Sequence, residues 1–142
     1  MRDTLRPLVE RALAAVEAKD VDAVLACLSD GAVVIDPHYP QPTMRGKDEI
    51  ADGLRWVFAT MRQLGFPIVS YFESAEGTKA AVEVATSHML AAGGMKLAFP
   101  QAFVIEARDG RITRLRAYTP YGPPGIGGMF LALTLLRRRL GW

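Results

Sequence analysis

The feature that most constrains this chain is a change of hydrophobic period at Gly65. Beyond it, residues 68–73, 80–90, 95–107 and 112–118 alternate apolar and polar side chains, the two-residue repeat of half-buried strands. The runs are joined at Glu76-Gly77, Gly93-Gly94 and Asp109-Gly110, pairs that suit tight turns because glycine accepts positive φ. Four consecutive strands connected in this way predict an antiparallel meander. Ahead of Gly65 the repeat is helical. Leu5, Leu8, Val9, Ala12, Leu13 and Val16 form one apolar stripe over 5–16, and Ile50, Leu54, Val57, Phe58 and Met61 form another over 47–64. Gly46, Asp48 and Glu49 suit the start of the latter helix. Between the two helices, Asp20 can cap a short helix over 21–28, closed by the turn Ser29-Asp30-Gly31. The β-branched run 32–36 predicts a strand ending at Pro37, which has no N–H to continue the pairing, and a proline-rich loop over 37–43 follows. Helices first and a meander afterwards predict an α+β fold, with a curved antiparallel sheet packed on N-terminal helices.

A chain of 142 residues, half of them hydrophobic and 23% charged, suits one globular domain with a substantial core. The net charge of +2 owes much to Arg137, Arg138 and Arg139, so the body of the domain carries no nucleic-acid footprint. Cys27 is the only cysteine. That rules out an internal disulfide and fits a reducing, cytoplasmic setting. Arg2, Asp3, Arg6 and Glu10 interrupt the N-terminus, which lacks the apolar core of a secretion signal. The apolar run 125–136 is too short to span a hydrocarbon layer of about 30 Å.

The segment Ser29-Asp30-Gly31-Ala32-Val33-Val34-Ile35-Asp36-Pro37, followed by Arg45-Gly46-Lys47-Asp48-Glu49-Ile50, by Asp109-Gly110-Arg111-Ile112 and by Leu115-Arg116-Ala117-Tyr118, resembles the nuclear-transport-factor-2-like superfamily. That superfamily includes ketosteroid isomerases and SnoaL-type polyketide cyclases, and the likeness covers about residues 5–118. The resemblance implies a cone-shaped fold that encloses a pocket for a small hydrophobic ligand, and a homodimer paired through the outer face of the sheet. It also implies that Asp36, at the Asp-Pro step, occupies the place of the isomerases' general base. The places of the Tyr and the protonated acid that hold the oxyanion fall on Ala12 and on Ala102 or Phe103, and that of a supporting Tyr on Leu54 or a neighbour. The oxyanion hole is thus absent in its usual form. The implied activity is a cofactor-independent isomerase or lyase acting on a carbonyl compound, and the alternative is a non-catalytic binding or dimerisation domain.

The residues themselves leave Asp36 two roles, a turn carboxylate in water or a base facing an apolar cavity, where desolvation would raise its pKa. His88 stands in phase with Val82, Val84, Thr86 and Leu90 on the inward face of its strand. It is either a satisfied core histidine or a polar handle that shares a proton with Asp36 or a ligand oxygen. His38 lies two residues past Asp36 in a loop. Gln101 shares a face with Leu97, Phe99 and Phe103 and is the best substitute donor for a ligand oxygen. Tyr39, Trp56, Phe58, Tyr118 and Tyr121 read as core or pocket wall, with Leu54, Val84 and Thr86 completing the expected lining. Two histidines and a carboxylate show no metal-ligand spacing, and no cofactor is expected.

The recognisable fold ends near Tyr118, which divides the chain into a domain over 1–121 and an appended segment over 122–142. Residues 122–128 read as a Gly/Pro hinge, and the apolar stretch behind it as a cover for the pocket mouth or a self-association surface, ahead of a peripheral membrane contact. Ala81, Ala85 and Met89 leave the outward side of the second meander strand apolar, which adds to the expectation of a homodimer.

Overall fold

The computed structural model describes residues 5–120 and 125–142. Helices α1 (Arg6–Glu17) and α2 (Val21–Ala26) lead into β1 (Leu28–Ile35) and β2 (Thr43–Arg45). Then come α3 (Gly46–Thr60), β3 (Met61–Gln63), β4 (Ile68–Glu73), β5 (Lys79–Leu90), β6 (Lys96–Arg108), β7 (Arg111–Tyr118) and α4 (Gly125–Arg139).

The predicted helices form for the predicted reasons. Leu8, Val9, Ala12 and Leu13 are the buried stripe of α1. Asp20 accepts a hydrogen bond from the Ala23 N–H at 3.0 Å and so caps α2. At the start of α3, Gly46 takes φ +80 and the Glu49 carboxylate reaches back to the Arg45 N–H at 2.6 Å, which satisfies a donor the helix cannot.

The sheet has seven strands in the order β2-β1-β7-β6-β5-β3, with β4 also paired to β5. The meander β4-β5-β6-β7 is antiparallel throughout, as alternation predicted. Four expectations need correction. The sheet is mixed, because β1 runs parallel to β7. The second helix stops at Ala26 rather than at 28, and Ser29-Asp30-Gly31 is not a turn: Leu28 already opens β1, whose irregular first half slips in register with β7 between Leu28 and Val33. The third helix stops at Thr60 rather than at 64, since Met61 leaves helical φ/ψ to pair with Leu90. The long β5 therefore holds two partners along one edge, β3 beside Met89 and Leu90 and β4 beside residues 80–84.

Inward residues of β5, β6 and β7 meet the helices in one core. Val82, Val84, Ile105 and Ile112 are its fully enclosed centre, with Val9, Leu13, Ile50 and Leu54 packed from the helix side. Helix α4 lies apart: none of its residues is buried. Of the segment expected as a hinge, Gly125, Ile126, Gly127 and Gly128 form the first turn of α4, while Tyr121 to Pro124 lie outside the described residues. No residue of α4 is among those that line the cavity. No helix among the described residues is long and apolar enough to cross a membrane.

Candidate functional site

Helices α1–α3 and the inner face of the sheet do not close on each other completely. They enclose a cavity of about 490 Å³, within the usual range for a small-molecule site. Its wall is mainly aliphatic and aromatic: Ala12 and Leu13 from α1, Leu54 and Trp56 from α3, Phe66 ahead of β4, and Leu97, Phe99 and Phe103 from β6. Its polar groups are few. Asp36, His38 and Tyr39 enter from the loop after β1, Thr60 from the end of α3, His88 from β5 and Gln101 from β6.

Asp36 is 9% exposed. Pro37 stops β1 just where the chain turns under the helices, and the turn is tied by the Asp36 N–H to the Pro42 carbonyl at 2.8 Å. One carboxylate oxygen, Oδ1, accepts from the His38 backbone N–H at 2.9 Å and lies 3.0 Å from His38 Nδ1. A carboxylate only accepts, so that ring nitrogen carries the proton. The other oxygen, Oδ2, receives no hydrogen bond among the described residues. It remains available to a ligand.

His88 has the opposite arrangement. Its Nδ1 accepts the Gly65 N–H at 3.2 Å, so the neutral ring bears its proton on Nε2. Phe66 and Phe99 stand nearly perpendicular to the ring, with centroids at 4.9 and 6.2 Å. Burial holds the His88 pKa below its ordinary value and His38 adds to the effect, against the Ser87 carbonyl and the Asp36 charge, which favour protonation. His88 thus offers the cavity an N–H donor.

Gln101 is 5% exposed and is aligned by Thr86, whose hydroxyl donates to Oε1 at 2.8 Å. Its amide nitrogen has no partner among the described residues. Tyr39 packs against Trp56 with ring centroids 6.0 Å apart. Gly53 of α3 permits this approach, since a β-carbon there would stand 3.0 Å from the tyrosine ring. Burial first, and the Asp36 charge second, push the Tyr39 phenol well above its ordinary pKa, so it stays protonated.

Of the residues singled out from sequence, Asp36, His88, His38, Tyr39, Leu54, Trp56, Phe99, Gln101 and Phe103 line this one cavity. Phe58, Val84, Thr86 and Tyr118 do not. Val84 and Thr86 point inward but are sealed behind the wall, and Thr86 acts through Gln101. Phe58 packs against the core. Tyr118 lies on the outer face under the Arg116 guanidinium. Of the two alternatives for the missing acid, Phe103 faces the cavity, whereas Ala102 pairs with Tyr118 on the far side. Met44, Met61, Leu64 and Phe66 also line the cavity and were not anticipated. They belong to short strands and their flanks, which are too brief for a readable period. Among the described residues no group of His, Cys, Asp or Glu could hold a metal ion.

The SnoaL-like domain family matches residues 9–115. No curated protein matches the chain in sequence. In three dimensions the chain is similar to a candidate polyketide cyclase from Xanthomonas campestris pv. campestris, at 26% identity, over 82% of this chain and 90% of that one, with a TM-score of 0.70. It is also similar to a Mycobacterium tuberculosis protein in complex with estradiol-17beta-hemisuccinate, at 20% identity, 82% and 94% coverage and a TM-score of 0.73. A third likeness, at 18% identity, 80% and 85% coverage and a TM-score of 0.71, is to a protein of ketosteroid isomerase-like fold from Catenulispora acidiphila in complex with trimethylamine.

Proposed function

Because the chain belongs to the SnoaL-like domain family, we propose that its cavity takes a small hydrophobic carbonyl compound and that the protein is a cofactor-independent isomerase or lyase. The observation that carries this reading is a single carboxylate, Asp36, in the wall of a mainly apolar cavity, with Oδ2 unengaged. In this reading Asp36 removes a proton from the carbon next to the carbonyl. The Nε2–H of His88 or the amide of Gln101 donates to the oxygen as negative charge develops there. The Asp36 carboxyl then returns the proton at a second carbon, or, in a lyase, the carbonyl re-forms as a leaving group departs from the β-carbon and takes the proton from Asp36. The neighbours crystallised with estradiol-17beta-hemisuccinate and with trimethylamine support small-molecule binding as the coarser reading. A cytoplasmic setting goes with it, supported by the single buried thiol of Cys27.

The test is hydrogen–deuterium exchange at the α-carbon of enolisable steroid, polyketide and terpenoid ketones, followed by NMR. Asp36→Asn keeps the acceptor for the His38 N–H and loses the basicity. Exchange should fall by about 10²–10⁴-fold, with an unchanged circular dichroism spectrum. Wild-type exchange in that variant would leave Asp36 a structural residue. A second reading, a binding module without turnover, is favoured by one observation: Ala12 and Phe103 line the cavity where the related isomerases carry oxyanion donors. Ligand-induced thermal stabilisation without any exchange would select it.

A further inference from the structure

Helix α4 puts its apolar side chains where nothing in the fold covers them. Ile126, Met129, Phe130, Leu133, Leu136 and Leu140 recur at helical spacing along one side, and each is exposed. Leu131 and Leu135 extend the apolar surface round the other side. Thr134 is the only polar side chain between 125 and 136. Its hydroxyl is turned back on the Leu131 carbonyl at 2.7 Å, which satisfies it without water. The next three residues are Arg137, Arg138 and Arg139, and Trp142 beyond them is 85% exposed.

The charge of this end of the molecule selects the occupant. Between Gly125 and Trp142 the only charged side chains are Arg137, Arg138 and Arg139, with no Asp or Glu among them. Pairing two copies of α4 would bury leucines but give none of the arginines a counter-charge. Anionic headgroups supply that charge, and the acyl region beneath them accepts apolar surface on more than one side of a helix. Helix length agrees: a run of this size cannot span a bilayer but can lie in one leaflet. Arginine stems can extend upward to the phosphates, and the exposed Trp142 indole suits the interface.

We propose that α4 is an interfacial anchor that lies in the surface of an anionic bilayer, with its leucine side in the acyl boundary and Arg137–Arg139 at the headgroups. The inference is independent of the chemistry in the cavity. The full chain should co-sediment with vesicles of phosphatidylcholine and phosphatidylglycerol, bind weakly to phosphatidylcholine alone, and lose affinity as salt is raised. Replacing all three arginines by alanine should weaken binding to the anionic vesicles by roughly a hundredfold. Leu133→Asp should weaken it on both vesicle types while the melting transition persists. Absence of binding to anionic vesicles at low salt would overturn the proposal. So would an oligomer in light scattering that is lost in Leu133→Asp, since α4 would then be covered by a second copy.

Discussion

Where Gly65 passes the Ser87 carbonyl, a β-carbon would come within 2.8 Å of that oxygen, and the close approach brings the Gly65 N–H to the His88 ring. Protonating that ring would set two N–H groups against each other, and burial already opposes the charge. The His88 pKa is therefore lower in the folded protein than in the unfolded chain, which binds the extra proton more readily. Stability is then full above the ordinary histidine value of about 6.5. It declines as pH falls below that value toward the depressed folded pKa. In His88→Asn the side-chain oxygen can stand where Nδ1 stood and still accept from Gly65, but nothing titrates. Urea midpoints measured from pH 8 down to pH 5 should fall less steeply in the variant than in the wild type. Parallel slopes would remove His88 as the source. Alternation along 80–90 told which side chains of β5 face inward, and it separated His88 from Ser87 correctly. It could not tell depth: Val84 and Thr86 share that face and are sealed below the cavity, because period two carries no information on what packs above a strand.

At the scale of elements, sequence pattern succeeded where a run was long enough to show its period and failed where pairing alone made the structure. The boundaries of the meander strands agree to within a residue. Strands β2 and β3 span only 43–45 and 61–63, and each exists because a neighbouring strand offers an open edge. The helical stripe that seemed to run on to Leu64 did so by coincidence, since Leu64 is buried from an extended segment instead. The C-terminal glycines are the converse case. Glycine lowers helix propensity, yet Gly127 and Gly128 lie in the first turn of α4. Because α4 contributes no buried residue, removing residues 125–142 should leave the cooperative melting transition in place. We expect a midpoint shift of about 2 °C or less, as suits a change near 0.5 kcal/mol in a domain of this size. Calorimetry on the truncated chain that showed no cooperative transition would make α4 part of the core.

At the scale of the whole molecule, the sheet has one face on the helices and another that no described element covers. Strand register places Phe72 opposite Ala81, Ala81 opposite Val104, and Ala102 opposite Tyr118. These side chains share the outer face. Phe72 is 67% and Tyr118 48% exposed. An antiparallel sheet that ends in water normally alternates apolar inward with polar outward. Here Phe72, Ala81, Ala102, Val104 and Tyr118 form an apolar strip across the face, bordered by Lys79, Glu83, Glu106, Arg114 and Arg116. A contiguous apolar patch of this kind is what a second copy covers in a two-fold dimer, because each protomer presents the same patch to the other. The resemblance to the nuclear-transport-factor-2-like superfamily implies pairing through this same face. We therefore predict a homodimer at micromolar concentration, measured by light scattering. Ala81→Glu should convert it to a monomer, since a carboxylate at the centre of the patch would have to lose its water without gaining a partner. Leu133→Asp, on α4, should leave the dimer intact. A wild-type monomer, or a dimer indifferent to Ala81→Glu, would show that the outer face of the sheet is not where this chain meets its copy.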